Sequence, residues 1–191
     1  MMSAGSHWQE KDVALWARSW LERTFGPQGV RIPLTVSSLS SKQDGTAPKA
    51  GLDSAPPDIV LSFIGCTANG DATLHSKKQG APLQAVFEFQ LSIDWKCSCA
   101  VANGRVEVKG CFSAREFGSE DMEDFELQCN CDEPSKQEAA LFSDPGLFKS
   151  LAQQLHSAVK KQGLKEVRSL LTENFVKEML GEGSRNTDSG E

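Results

Sequence analysis

Residues 86–101 read VFEFQLSIDWKCSCAV. Phe87, Phe89, Leu91, Ile93, Trp95, Cys97, Cys99 and Val101 form one alternating set. Glu88, Gln90, Ser92, Asp94, Lys96 and Ser98 form the other. A period of two sustained over this length predicts a long strand with one face buried and one face wet. Asn103-Gly104 follows as a hairpin turn signal. Residues 105–112 (RVEVKGCF) alternate again, with Val106 and Val108 inward, and 124–131 (DFELQCNC) do the same with Phe125, Leu127, Cys129 and Cys131. A polar connection, SAREFGSEDMED, separates them. Upstream, residues 58–65 (DIVLSFIG) predict a short apolar strand, followed by turns at Asn69-Gly70 and around Gln79-Gly80. Pro33 within 30–39 (VRIPLTVSSL) predicts an edge strand.

Two helical patterns bracket these strands. In residues 10–25, Val13, Trp16, Ala17, Trp20, Leu21 and Thr24 make one stripe at helical spacing, with Glu10 and Asp12 expected in the first turn. From 146 to 180, Leu147, Leu151, Leu155, Val159, Gly163, Val167, Leu171, Phe175 and Met179 recur at every fourth position. Gly163 there predicts a kink or a close approach to the sheet. The order is an N-terminal helix, an antiparallel meander of about four strands, and a long C-terminal helix packed on the sheet. That is an α+β two-layer domain. It is expected over residues 6–180. Residues 40–57, whose one large apolar side chain is Leu52, are expected to be a mobile insertion loop, and 181–191 a disordered tail.

Composition narrows the function classes. The 191 residues carry 20 Lys and Arg against 26 Asp and Glu, a formal charge of −6. An acidic chain is a poor binder of phosphate backbones, so nucleic acid is not an expected partner. No run approaches the roughly 18–20 apolar residues of a membrane helix, and the N-terminus lacks a secretory pattern, so a cytoplasmic protein is expected. The 6 cysteines are then thiols rather than a disulfide framework. Cys97-x-Cys99 and Cys129-x-Cys131 raise a zinc reading, but each pair continues the inward apolar set of its strand, where a thiol behaves as a small hydrophobe. Structural zinc sites favour two to four residues between paired cysteines on turns. No metal and no cofactor is expected.

Phosphate-loop, dinucleotide, metalloprotease and nucleophile-elbow motifs are all absent, and His7, His75 and His156 fall on three different elements. An enzyme is therefore not expected. Charge patterning is more informative: Glu116 to Glu133 holds eight acids and no base. Such a run is a solvated face or a patch that docks a basic surface. Trp8, just before the first helix, caps the core or anchors a partner.

Order and spacing together resemble the N-terminal domain of the activators of the heat-shock-protein-ninety ATPase, a co-chaperone family. The carrying residues are His7-Trp8-Gln9-Glu10-Lys11-Asp12 leading to Trp16, Gly70-Asp71-Ala72-Thr73-Leu74-His75-Ser76-Lys77-Lys78, and the strand ending Ile93-Asp94-Trp95. Gly104–Gly110, Ser119–Asp132 and Gly163-Leu164-Lys165 complete the likeness. The resemblance implies a monomeric co-chaperone that binds the middle segment of the chaperone and speeds its ATP hydrolysis. It implies that Lys77 and Lys78 act at the chaperone's catalytic loop, that Asp71 makes a polar contact, that Leu83 and Val86 pack on the partner, and that His7 and Trp8 modulate activation. Lys77 stands where the family has arginine, whose planar fork lysine lacks, and the chain is expected to be a short, single-domain member or a fragment of a longer protein. Both imply weak stimulation. The competing reading is a small-ligand-binding or scaffold domain of the same fold, with a zinc-binding regulator third.

Overall fold

The alternating stretch forms the central strand of the sheet. In the computed structural model, which describes residues 9–36, 59–76, 82–101, 104–122, 124–133, 142 and 144–185, the elements are as follows. β1 is Gln9–Asp12, α1 Ala14–Thr24, β2 Arg31–Leu34, β3 Ile59–Ser76, β4 Gln84–Val101, β5 Gly104–Gly118 and β6 Gln128–Cys131. A continuous helical run closes the chain: α2 (Pro145–Ala158), a π-helical segment (159–163), α3 (Leu164–Ser169), a second π-helical segment (170–175) and α4 (Val176–Arg185).

The sheet is six-stranded and antiparallel, in the order β1-β3-β4-β5-β6, with β2 also on β3. Four of these strands, β3 to β6, are the expected meander. The two additional pairings share one edge of β3. β1 lies against Thr73–Ser76 and β2 against Ile59–Ser62. Between them the edge is covered by α1: the Val13 N–H donates to the Ala72 carbonyl at 2.9 Å. Covering the edge removes a template for unwanted strand pairing.

Several boundaries differ from the sequence reading, each for a physical reason. Residues 9–12 are strand, not the first turn of a helix, because they gain ladder hydrogen bonds on the open edge of β3. Asp12 instead accepts the Ala14 N–H at 2.8 Å and starts α1. β3 is one strand of 18 residues rather than a short strand followed by a turn. Gly70 sits inside it at φ 154°, where a Cβ would stand 1.9 Å from the Glu88 carbonyl oxygen. The glycine allows close strand approach there and does not turn the chain. β5 continues to Gly118 because a bulge places Arg115 and Glu116 opposite Gln90, between the pairs Leu91–Ala114 and Phe89–Phe117. The extra residue returns Phe117 to the core. β6 is shorter than expected, although Phe125 and Leu127 are buried just before it. The last helix runs five residues beyond Leu180, through positions expected to belong to the tail. The insertion 40–57 and the turns at Gln79-Gly80 and Asn103 lie outside the described residues.

The inward face of the sheet carries Phe87, Phe89, Leu91, Ile93, Trp95, Cys97 and Cys99, all buried. α1 and the C-terminal helical run cover it. Asp144 caps the run, accepting the Gly146 and Leu147 N–H groups at 2.8 and 3.1 Å, with Pro145 in the first position. The every-fourth pattern from Leu151 to Met179 is buried throughout. At 3.6 residues per turn each such step drifts by about 40°, so in a regular α-helix the stripe would reach the far side within about five steps. The two π-helical segments hold more residues per turn and offset this drift. Gly163 is a close approach: a Cβ there would meet Leu61 Cδ2 at 2.8 Å. Gln162 ties the first π-helical segment to the end of β2, donating to the Thr35 carbonyl at 2.7 Å and accepting the Thr35 N–H at 3.0 Å.

Candidate functional site

Two of the expected site residues, Asp71 and Val86, lie on the solvent face of the β3–β4 hairpin. Asp71 lies opposite Glu88, and Thr73 opposite Val86, in adjacent cross-strand pairs. Paired residues share a face, so Asp71 and Val86 both point away from the helices. The Asp71 side chain is 94% exposed, and Val86 is one of the exposed large apolar residues, at 42%. The strand alternation that buries Phe87 and Phe89 is what turns Val86 and Glu88 outward. Leu83, just before β4, is half-buried and packs against the core. Lys77, Lys78, His7 and Trp8 lie outside the described residues.

Asp71, Glu88 and Val86 line an open groove of about 650 Å³, together with Glu116, Glu120 and Asp121. Three members of the acidic run read from the sequence thus meet two acids from β3 and β4. Like charges placed opposite one another destabilise a strand pair, as Asp71 and Glu88 are. Acids gathered in this way give the groove a negative field.

One residue that the sequence did not single out is built into this corner. Arg18, from α1, donates from Nη2 and Nε to the Gly70 carbonyl at 2.6 and 3.2 Å, and from Nη2 to Asp71 Oδ1 at 3.4 Å. It satisfies a backbone acceptor on a stretch of β3 edge that none of the described strands pairs. Arg18 sits off the apolar stripe of its helix and 52 residues from Gly70, so neither period nor motif marks it.

Five of the six thiols lie in the core or pack against it, while Cys111 stands opposite Asp94 on the outer face. Cys97 and Cys99 are buried and face inward, while Cys66, Cys111, Cys129 and Cys131 are half-buried. Burial pushes the Cys66, Cys97 and Cys129 thiols up to about 12 from the usual 9.0. Among the described residues no group of three or more His, Cys, Asp or Glu side chains is placed to hold a metal ion. His156 has its pKa lowered by burial first and by Lys160 second, against Asp132. Since the thiolate is the nucleophile, Cys97 is expected to resist iodoacetamide at pH 8 in the folded protein and to react within minutes once unfolded. Mass spectrometry of the labelled peptide reads this directly; rapid labelling of folded protein would contradict the burial. Neutral thiols held to about 12 also stabilise the fold fully below pH 9. That contribution declines as pH rises from 9 towards 12, because the unfolded state ionises first.

Among the described residues no helix is long and apolar enough to cross a membrane. No curated protein matches the chain. Among solved structures, the chain is similar to the crystal structure of Aha-1 from Plasmodium falciparum. The likeness has a TM-score of 0.59 at 16% identity and covers 94% of this chain and 92% of that one. At that identity it speaks for the fold: the α+β arrangement of N-terminal helix, antiparallel sheet and long C-terminal helix. The profile of the family described as "Activator of Hsp90 ATPase, N-terminal" matches residues 10–183, nearly the whole described fold, and the chain therefore belongs to that family of co-chaperone-type domains.

Proposed function

We propose that this domain binds the middle segment of Hsp90 as a monomer in the cytoplasm and stimulates its ATPase, weakly, in support of protein folding under stress. The observation that carries the reading is the family match over residues 10–183. The geometry supports it by bringing Asp71 and Val86 to one exposed face of the β3–β4 hairpin. In sequence, Lys77, Lys78 and Leu83 fall in and beside the connection between those two strands. In this reading Asp71 gives a polar contact and Val86 an apolar one, with Leu83 beside it. Lys77 and Lys78 act on the catalytic loop of the chaperone, and His7 and Trp8 modulate the effect.

The domain needs no catalytic group of its own. An activator raises turnover when it binds the hydrolysis-competent state of its partner more tightly than the resting state. Its leverage equals that difference in affinity and nothing more. In this reading the sheet face with its acidic groove docks a basic surface, and the choice between the partner's two states falls to Lys77 and Lys78.

The test is ATP turnover by purified Hsp90 with and without the domain, with an Hsp90 inhibitor subtracting background, alongside calorimetry on the isolated middle segment. Inhibitor-sensitive stimulation together with binding is the expected result. Neither stimulation nor binding would leave the family fold without this function and favour a ligand-binding role.

A further inference from the structure

We propose that Arg18 is a positioning residue that holds Asp71 ready for the partner; this rests on the reading of Asp71 as a docking contact. Asp71 is 94% exposed and stands opposite Glu88, with Glu116, Glu120 and Asp121 lining the same groove. An exposed carboxylate among like charges would sample many rotamers. Each rotamer-rich side chain fixed at an interface costs about 0.5–1.5 kcal/mol on binding.

Arg18 offsets that cost through a fixed frame. Its helix is anchored by buried Ala17, Trp20 and Leu21, and Trp20 Nε1 donates to Glu178 Oε2 at 2.8 Å, locking α1 to α4. From that base the guanidinium is held by two bonds to the Gly70 carbonyl, at 2.6 and 3.2 Å. The remaining contact, 3.4 Å to Asp71 Oδ1, is a long exposed ion pair. Alone it would stabilise the fold little. Its consequence lies in orientation: one carboxylate oxygen is turned towards α1 and the other is left for a basic group of the partner. Lysine could supply the charge but not the planar fork that grips Gly70 and Asp71 together.

The experiment titrates the domain into Hsp90 and reads the half-maximal concentration and the maximal stimulation separately. Arg18→Met, which keeps the aliphatic stem, is expected to raise the half-maximal concentration roughly two- to tenfold, the range set by fixing one side chain, with the maximum unchanged. Arg18→Lys should recover part of that loss. The decisive variant combines Arg18→Met with Asp71→Asn. If Arg18 acts through Asp71, the double variant is no weaker than Asp71→Asn alone. Additive losses, or no loss in Arg18→Met, would overturn the proposal while leaving Asp71 as a contact. No loss in Asp71→Asn would remove the docking reading itself, and the role of Arg18 with it. Melting curves on each variant separate these outcomes from a general loss of stability.

Discussion

Phe175→Ala is expected to destabilise the domain by about 4 kcal/mol, in the range typical of emptying a buried aromatic site. Phe175 is fully buried in the second π-helical segment. Its ring lies 6.2 and 5.3 Å from Trp16 and Trp20 of α1, 5.3 and 6.3 Å from Phe87 and Phe89 of β4, and 5.7 Å from Phe117 of β5. It is where both helical elements and the two central strands meet. No neighbouring side chain is free to collapse into the space, since Phe87, Phe89 and Phe117 are fixed by the sheet. Against a total of about 5–15 kcal/mol, such a loss leaves a marginal fold. Urea unfolding should show a lower midpoint at an unchanged slope. Leu147→Ala, at a position 43% exposed on the same helical run, should change stability by under about 0.5 kcal/mol. Similar small losses at both positions would mean that the π-helical segment does not turn Phe175 into the core.

That comparison also shows what kind of information the chain carries openly. The every-fourth spacing from Leu151 to Met179 already departs from 3.6, and only a helix with π-helical turns can bury every member. Read as an ordinary amphipathic helix, the pattern gives the right face and misses the device that keeps it facing the sheet. β4 was legible because its alternation is local and long. β1 was not, because Gln9-Glu10-Lys11-Asp12 has no apolar period and becomes a strand only through pairing with residues 73–76. Asn69-Gly70 misled for a different reason. Glycine serves both turns and close strand approaches, and the sequence does not say which until β4 is laid beside it. The candidate site divides the same way. Asp71 and Val86 were both read from a resemblance to a family. Arg18 and Glu88 enter only through contacts across the fold.

Lys77→Ala/Lys78→Ala is expected to reduce maximal stimulation of Hsp90 at least tenfold while the half-maximal concentration changes less. The split follows from the division of labour in the proposed interface. In that reading Asp71, Val86 and the acidic groove are assigned contacts that are equal in both states of the partner, and such contacts set affinity without shifting an equilibrium. Stimulation requires a group that interacts more strongly with the hydrolysis-competent state, and the basic pair is assigned that part. A tenfold loss corresponds to about 1.4 kcal/mol of differential binding, within reach of two charge-assisted hydrogen bonds. Charge alone would be screened by salt, so stimulation by the wild-type domain should fall between 50 and 300 mM salt more steeply than that of the double variant. Lys77→Arg tests the geometry. If the planar fork missing here is what limits stimulation, this substitution raises the maximum above wild type. If the double variant instead loses affinity and keeps its maximum, the two lysines belong with Asp71 as docking contacts. The differential group must then be sought elsewhere on the chain, with His7 and Trp8 as the next candidates.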